Sequence, residues 1–282
     1  MMQFLRFLAA PLLVCTTFAT AAEIKPFSAH YSLSRGGLDL AAVTISLREY
    51  GADRYVYESE TLAVGLAAII RDDRIVERSE WQLSNEAIRP LAYSYSHFGS
   101  EKNRNATVNF DWQTQSALSN SRGKVRTIEL SPGALDKFLV RLALSLDLQD
   151  GRDTLSYQVA DGGKLKEYRF TRAGEETIET ALGEITAIKV KAGEFDRKYG
   201  TTFWLAPKYD YLPVRVERTE RGALYRMDVE AINGLDRVLA RTLPVAADIQ
   251  PNRSSEGSLG ASSVTSGGKT VDTISQESSS GI

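Results

Sequence analysis

Cysteine is nearly absent from this chain: of 282 residues only Cys15 is one, and it lies in the N-terminal apolar segment. Once that segment is cut away the chain has no thiol, which excludes disulfides, thiolate zinc sites, iron–sulfur clusters and a cysteine nucleophile. Histidine is almost as scarce. His30 and His97 both sit in strand-like runs beside aromatics and read as structural or surface residues, and the zinc motif His-Glu-x-x-His is missing. A Gly-x-Ser-x-Gly elbow, a Gly-x-x-x-x-Gly-Lys phosphate loop and a Gly-x-Gly-x-x-Gly turn are missing too. No cofactor or metal is expected. Neither charge sign is in excess, with 34 Lys and Arg against 36 Asp and Glu. That balance gives no basic stripe for nucleic acid and no polybasic segment for an anionic membrane surface.

Long apolar runs are missing as well, apart from Phe7 to Phe18, which is broken by Pro11 and by Thr16 and Thr17. About 12 residues are too few to span roughly 30 Å of hydrocarbon as a helix. The run follows a short segment ending in Arg6 and precedes Ala19-Thr20-Ala21, the layout of a signal peptide. We therefore expect residues 1–21 to be a leader cleaved near Ala21 and the mature protein to be periplasmic. Val14 stands before Cys15 where lipoprotein processing wants a small residue, so no lipid anchor is expected.

What is present is period-two patterning. Phe27, Ala29, Tyr31 and Leu33 alternate with polar neighbours, as do Val43, Ile45 and Leu47. Similar runs recur at 88–97, 106–112, 124–130, 155–159, 165–170, 185–190, 201–205, 214–218 and 224–232. Glycines between them, such as Gly123, Gly162-Gly163 and Gly174, read as breakers. A dozen or so strands are too many for one open sheet that does not curl. One stretch reads as a helix over about 132–148, with Ser131 as its cap. Leu135, Phe138, Leu139, Leu142 and Leu146 form an apolar face, and Asp136, Lys137, Arg141 and Ser145 a polar one. The expected fold is mainly β: a curved antiparallel sheet or open β-barrel with this amphipathic helix packed against or inside it. Residues 22–237 form one domain, and the Ser- and Gly-rich residues 238–282 a disordered tail.

Chemistry-bearing clusters are few. Asp72-Asp73 and Glu175-Glu176 are adjacent acids near turns and read as solvated. Two apolar features stand out. Ala63 to Ile70 lacks β-alternation and reads as a short helical turn or apolar loop, with Leu66, Ile69 and Ile70 as candidate cavity-lining residues. Phe203 to Val216 reads as strand, Pro-bounded turn, strand. Its Phe203, Trp204 and Tyr209 could pack a lipid chain or stack on a sugar.

Residues about 27 to 235 resemble a family of exported bacterial proteins, domain of unknown function 3108. The resemblance rests on Ala63 to Leu66, Phe110-Asp111-Trp112, Ser131-Pro132-Gly133 with Leu135-Asp136, Leu182-Gly183-Glu184, and Trp204-Leu205-x-Pro207 with Leu212-Pro213-Val214-Arg215. It implies no assigned activity and no catalytic residues. The 203–216 stretch alone is similar to periplasmic lipoprotein carriers, which implies an open barrel over an apolar cavity. The leading expectation is a non-enzymatic binding or envelope-maintenance protein with a lipid-like ligand. One alternative is an enzyme of envelope polymers or glycans using acids such as Asp111 and Glu184. The other is a partner-binding component of an envelope complex.

Overall fold

In a computed structural model the described residues are 24–235, apart from 52, 71–72, 85–86, 100–103, 153 and 194–197. The expected leader and the whole of the expected tail lie outside them. Eight strands run as a meander: β1 (Phe27–Arg35), β2 (Leu38–Gly51), β3 (Arg54–Ala63), β4 (Arg74–Ser84), β5 (Ala87–Phe98), β6 (Arg104–Asp111), β7 (Ser116–Ser121) and β8 (Lys124–Glu129). The short β9 (Leu135–Asp136) follows. A second meander comprises β10 (Ser156–Asp161), β11 (Lys164–Thr180), β12 (Gly183–Ala192), β13 (Tyr199–Ala206), β14 (Leu212–Glu220) and β15 (Ala223–Asn233). Two helices interrupt them, α1 (Gly65–Ile70) and α2 (Leu139–Gln149).

All 15 strands belong to one sheet, in the order β8-β7-β6-β5-β4-β3-β2-β1-β15-β14-β13-β12-β11-β10-β9. Pairing is antiparallel except between β9 and β10. The expected mainly β fold with a curved antiparallel sheet is what the chain adopts, and the sheet is not closed by hydrogen bonds, since β8 and β9 are its edges. Register shifts between β1 and β15, β1 and β2, β2 and β3, β4 and β5, β11 and β12, and β13 and β14 mark irregularities that bend the strands and increase their twist. The curl brings the open edge back to the second meander: a Cβ on Gly163, in the β10–β11 turn, would lie 2.5 Å from Cδ of Arg126 on β8.

The hollow of this sheet holds α2. Phe138, just before the helix, stacks on Tyr57 of β3 with centroids 4.3 Å apart. At the helix C-terminal half, Tyr157 of β10 donates to Asp147 Oδ2 at 2.7 Å. The helix thus touches both meanders. Leu139, Val140, Leu142, Ala143, Leu144, Ser145 and Leu148 are all buried.

This placement corrects the sequence reading of 132–148 as one amphipathic helix capped by Ser131. The helix starts at Leu139. Ser131 to Gly133 form a turn, and Leu135–Asp136 become β9, paired with Val159 and Ala160. The cap is Asp136, whose Oδ1 accepts from the Phe138 and Leu139 amides at 2.9 and 2.7 Å. Asp136 and Ser145, expected on a polar face, are buried. A helix lying in the hollow of a sheet keeps little solvent-facing surface, so its buried polar groups need partners within the protein.

Connections fall at two ends of the sheet. The pairs Arg35–Leu38, Leu62–Arg74, His97–Arg104, Ser121–Lys124, Asp161–Lys164 and Glu220–Ala223 close turns at one end. The turns after Asp111 and Ala206 lie at the other, with Phe27 and Asn233.

Candidate functional site

Register builds the site. On the concave side of β4 to β8 two cross-strand rows run side by side. One is Glu77, Tyr95, Ala106, Ser121, Lys124; the other is Ser79, Tyr93, Val108, Ser119, Arg126. Period two puts Lys124 and Arg126 on the same side of β8. Their inward neighbours are small, so the wall recedes between the bases and the tyrosines. The β10–β11 turn faces this recess across the open seam. The result is a cleft of about 690 Å³.

Its lining is strongly one-signed. Seven basic side chains reach it: Arg104, Arg122, Lys124 and Arg126 from the first meander, Lys137 before α2, and Lys164 and Lys166 from the hairpin. Asp161 is the one carboxylate among the described lining residues. Lys166 is bonded to Asp161, and Lys137 Nζ lies 3.8 Å from Glu77. The other five form no ion pair among the described residues. In a chain with more acids than bases, this is a local reversal of sign. A concave surface of one charge focuses the field and draws counter-ions.

The floor is polar and fixed. Tyr93 donates to Glu77 Oε1 at 2.7 Å. The Lys137 ammonium stands 5.0 Å from the Tyr95 ring centre and 5.6 Å from that of Tyr93. Burial, then the Glu77 charge, push the Tyr93 phenol far above its usual range, and Tyr95 is raised for the same two reasons. Both stay neutral hydroxyls. Opposite them Tyr168 donates to Asp161 at 3.2 Å. A second, smaller cleft of about 280 Å³ lies at the other end, near Arg89, Trp112 and Ser131 to Gly133. There Trp112 Nε1 donates to the Pro90 carbonyl at 2.7 Å.

The sequence-derived candidates are placed elsewhere. Leu66, Ile69 and Ile70 are exposed on α1. Phe203, Trp204 and Tyr209 are buried in the core. Phe203 packs 6.2 Å from Phe170, and Trp204 donates from Nε1 to Glu176 Oε2 at 3.1 Å with Lys189 over its ring. Neither cleft is lined by any of the six. Asp111 is engaged locally, accepting from the amides of Gln113 and Thr114, and these bonds lower its pKa. Glu184 is exposed opposite Glu179. His30 meets Thr44 at 3.2 Å, and His97 meets Asp73 at 3.3 Å. Among the described residues no three His, Cys, Asp or Glu side chains gather as a metal site. The basic cleft escaped the sequence because its cations, spread from 104 to 166, are individually ordinary. Only Lys124 with Arg126 and Lys164 with Lys166, each pair two apart in a strand, carry a local signal.

An open, curled antiparallel sheet with a helix in its hollow defines a barrel-like architecture. Residues 27–229 match the family described as protein of unknown function DUF3108, and the chain belongs to that family. Among solved structures it is similar to the beta-barrel-like protein of domain of unknown function DUF1849 from Brucella abortus. The TM-score is 0.50 at 8% identity, over 75% of this chain and 98% of that one. At that identity the likeness concerns the fold alone. No curated protein matches the sequence.

Proposed function

We propose that this protein is an exported, non-enzymatic binding protein of the periplasm that takes an anionic ligand in the seam cleft. The observation that carries the reading is the set of five cations that have no ion-pair partner among the described residues around one recess, in a chain whose overall charge has the opposite sign. Such groups repel one another when the cleft is empty, so a phosphate- or carboxylate-bearing ligand relieves that repulsion as it binds. Arginines offer paired donors that fit those groups. The Tyr95 hydroxyl, with Ser119 and Ser121, adds neutral donors along the floor, whereas the Tyr93 proton is already given to Glu77. Export is supported by the layout of residues 1–21, and mass spectrometry of the protein recovered from the periplasm tests it: cleavage near Ala21 is expected.

The binding reading is tested with inositol hexakisphosphate as a soluble polyanion and uncharged myo-inositol as its control, by calorimetric titration. The polyanion binds, the affinity falls steeply as salt is raised, and the control does not bind. The combined variant Arg122→Glu, Lys124→Glu, Arg126→Glu loses affinity by about a hundredfold or more, since each reversal replaces attraction by repulsion. These side chains are exposed, so the fold is expected to hold. Equal affinity in the variant ends the proposal.

A further inference from the structure

The end of the sheet that carries the cleft also carries α1, and α1 is unusual. Leu66, Ile69 and Ile70 are 72, 81 and 80% exposed, a density of bare apolar surface that a six-residue helix in a water-soluble chain does not need. None of its residues is buried, and only Ala67 and Ala68 are partly covered. More apolar side chains stand at the same rim. Leu38 follows the β1–β2 turn, and Leu62 and Phe98 flank Arg74 in one cross-strand row; all three are exposed. The cleft opens beside them. Asp73, which follows α1, meets His97 at 3.3 Å, and His97 stands opposite Arg104 of the cleft in the β5–β6 ladder. With strands about 4.8 Å apart, four spacings from β4 to β8 put the α1 connection and the β8 cations within roughly 20 Å.

We infer that this end of the molecule docks on an anionic lipid bilayer, with Leu66, Ile69 and Ile70 entering the headgroup boundary and the cleft cations facing lipid phosphates. The combination of a small apolar wedge and adjacent cations without ion-pair partners among the described residues is what an interfacial anchor requires, since either element alone binds weakly. The charge pattern is what selects a membrane over a protein partner as the occupant. The contact is at the tips only. On the outer wall Arg48 pairs with Glu58, Glu58 with Arg78 and Arg78 with Glu80. That wall is the reverse of the apolar band around a membrane-spanning barrel. The inference goes beyond anion binding in the cleft, because its apolar half does not depend on that reading.

The experiment is co-sedimentation of the mature protein with vesicles of phosphatidylethanolamine and phosphatidylglycerol, against vesicles of phosphatidylcholine alone. Wild type sediments with the anionic vesicles and much less with the neutral ones. The variant Leu66→Ser, Ile69→Ser, Ile70→Ser loses vesicle affinity by at least about tenfold. It keeps its affinity for inositol hexakisphosphate and its unfolding curve. The charge-reversal variant loses both ligands and the α1 variant only the vesicles, and that difference separates the two readings: a wild type that ignores the polyanion yet binds vesicles through α1 ends the cleft proposal and not this one. Docking is overturned if wild type stays in the supernatant or if the α1 variant sediments like wild type. It is also overturned if wild type is a dimer in solution that the α1 variant dissolves, which makes a second copy the occupant.

Discussion

Phe138→Ala lowers the stability of the domain by about 4 kcal/mol, the middle of the range for deleting a buried aromatic ring. The ring is fully buried and stacks nearly parallel on Tyr57, at an interplanar angle of 15°. The Arg141 guanidinium lies 5.3 Å from its ring centre. Removing it forfeits the transfer free energy of the ring, the stacking with Tyr57, about 1 kcal/mol, and leaves a cavity between helix and sheet. A domain of this size is stable by about 5 to 15 kcal/mol in total, so the loss is visible in any denaturant titration. Urea unfolding followed by circular dichroism measures it, with the slope expected to be unchanged. Phe138→Leu, which refills most of the volume, costs about 1.5 kcal/mol or less. A loss below about 1 kcal/mol for alanine means that the helix is not held in the hollow of the sheet.

The strands that the sequence shows are those whose inner faces are apolar. Phe27, Ala29 and Tyr31, or Val43, Ile45 and Leu47, alternate because one side of β1 and β2 faces the core. β4 and β7 give no such pattern. The inward residues of β4 include Glu77 and Ser79, which meet Lys137, Tyr93 and Asp136, and those of β7 are Ala117 and Ser119. A polar or small inner face hides a strand from periodicity, and the same residues make room for the cleft. The two failures share one cause: the hollow is partly polar. β11 was misread for another reason. It runs through Gly174, whose φ is +98°, at a register shift between Arg172 and Glu175, so a glycine that reads as a breaker is here a bulge within a 17-residue strand. The helical turn at 63–70 was legible from its missing alternation. Whether its side chains faced in or out was not, because exposure depends on what packs over them.

Asp136→Asn removes a pH dependence that the wild type carries. Burial pushes the Asp136 carboxyl from 3.8 up to about 6, against the pull of the bonds from Leu139, Ser79 and Phe138, and the charge of Glu77 adds to the rise. Its Oδ2 has no partner among the described residues. A carboxyl raised in this way favours the folded state fully below its unfolded pKa. That contribution disappears as pH rises through about 6. At about 1.4 kcal/mol per pKa unit, the rise corresponds to about 3 kcal/mol between acid and neutral solution. Asparagine keeps an acceptor for Ser79 Oγ and for the two amides that start α2, but carries no proton to lose. The variant's stability therefore lacks the fall of about 3 kcal/mol between about pH 4 and about pH 7. Unfolding midpoints of both proteins across that window measure the difference. The lowered carboxyls Asp111, Glu167 and Glu176 act in the opposite direction. They are present in both proteins, so they cancel in the comparison, and parallel curves for wild type and variant would place the Asp136 carboxylate in water rather than beneath the helix.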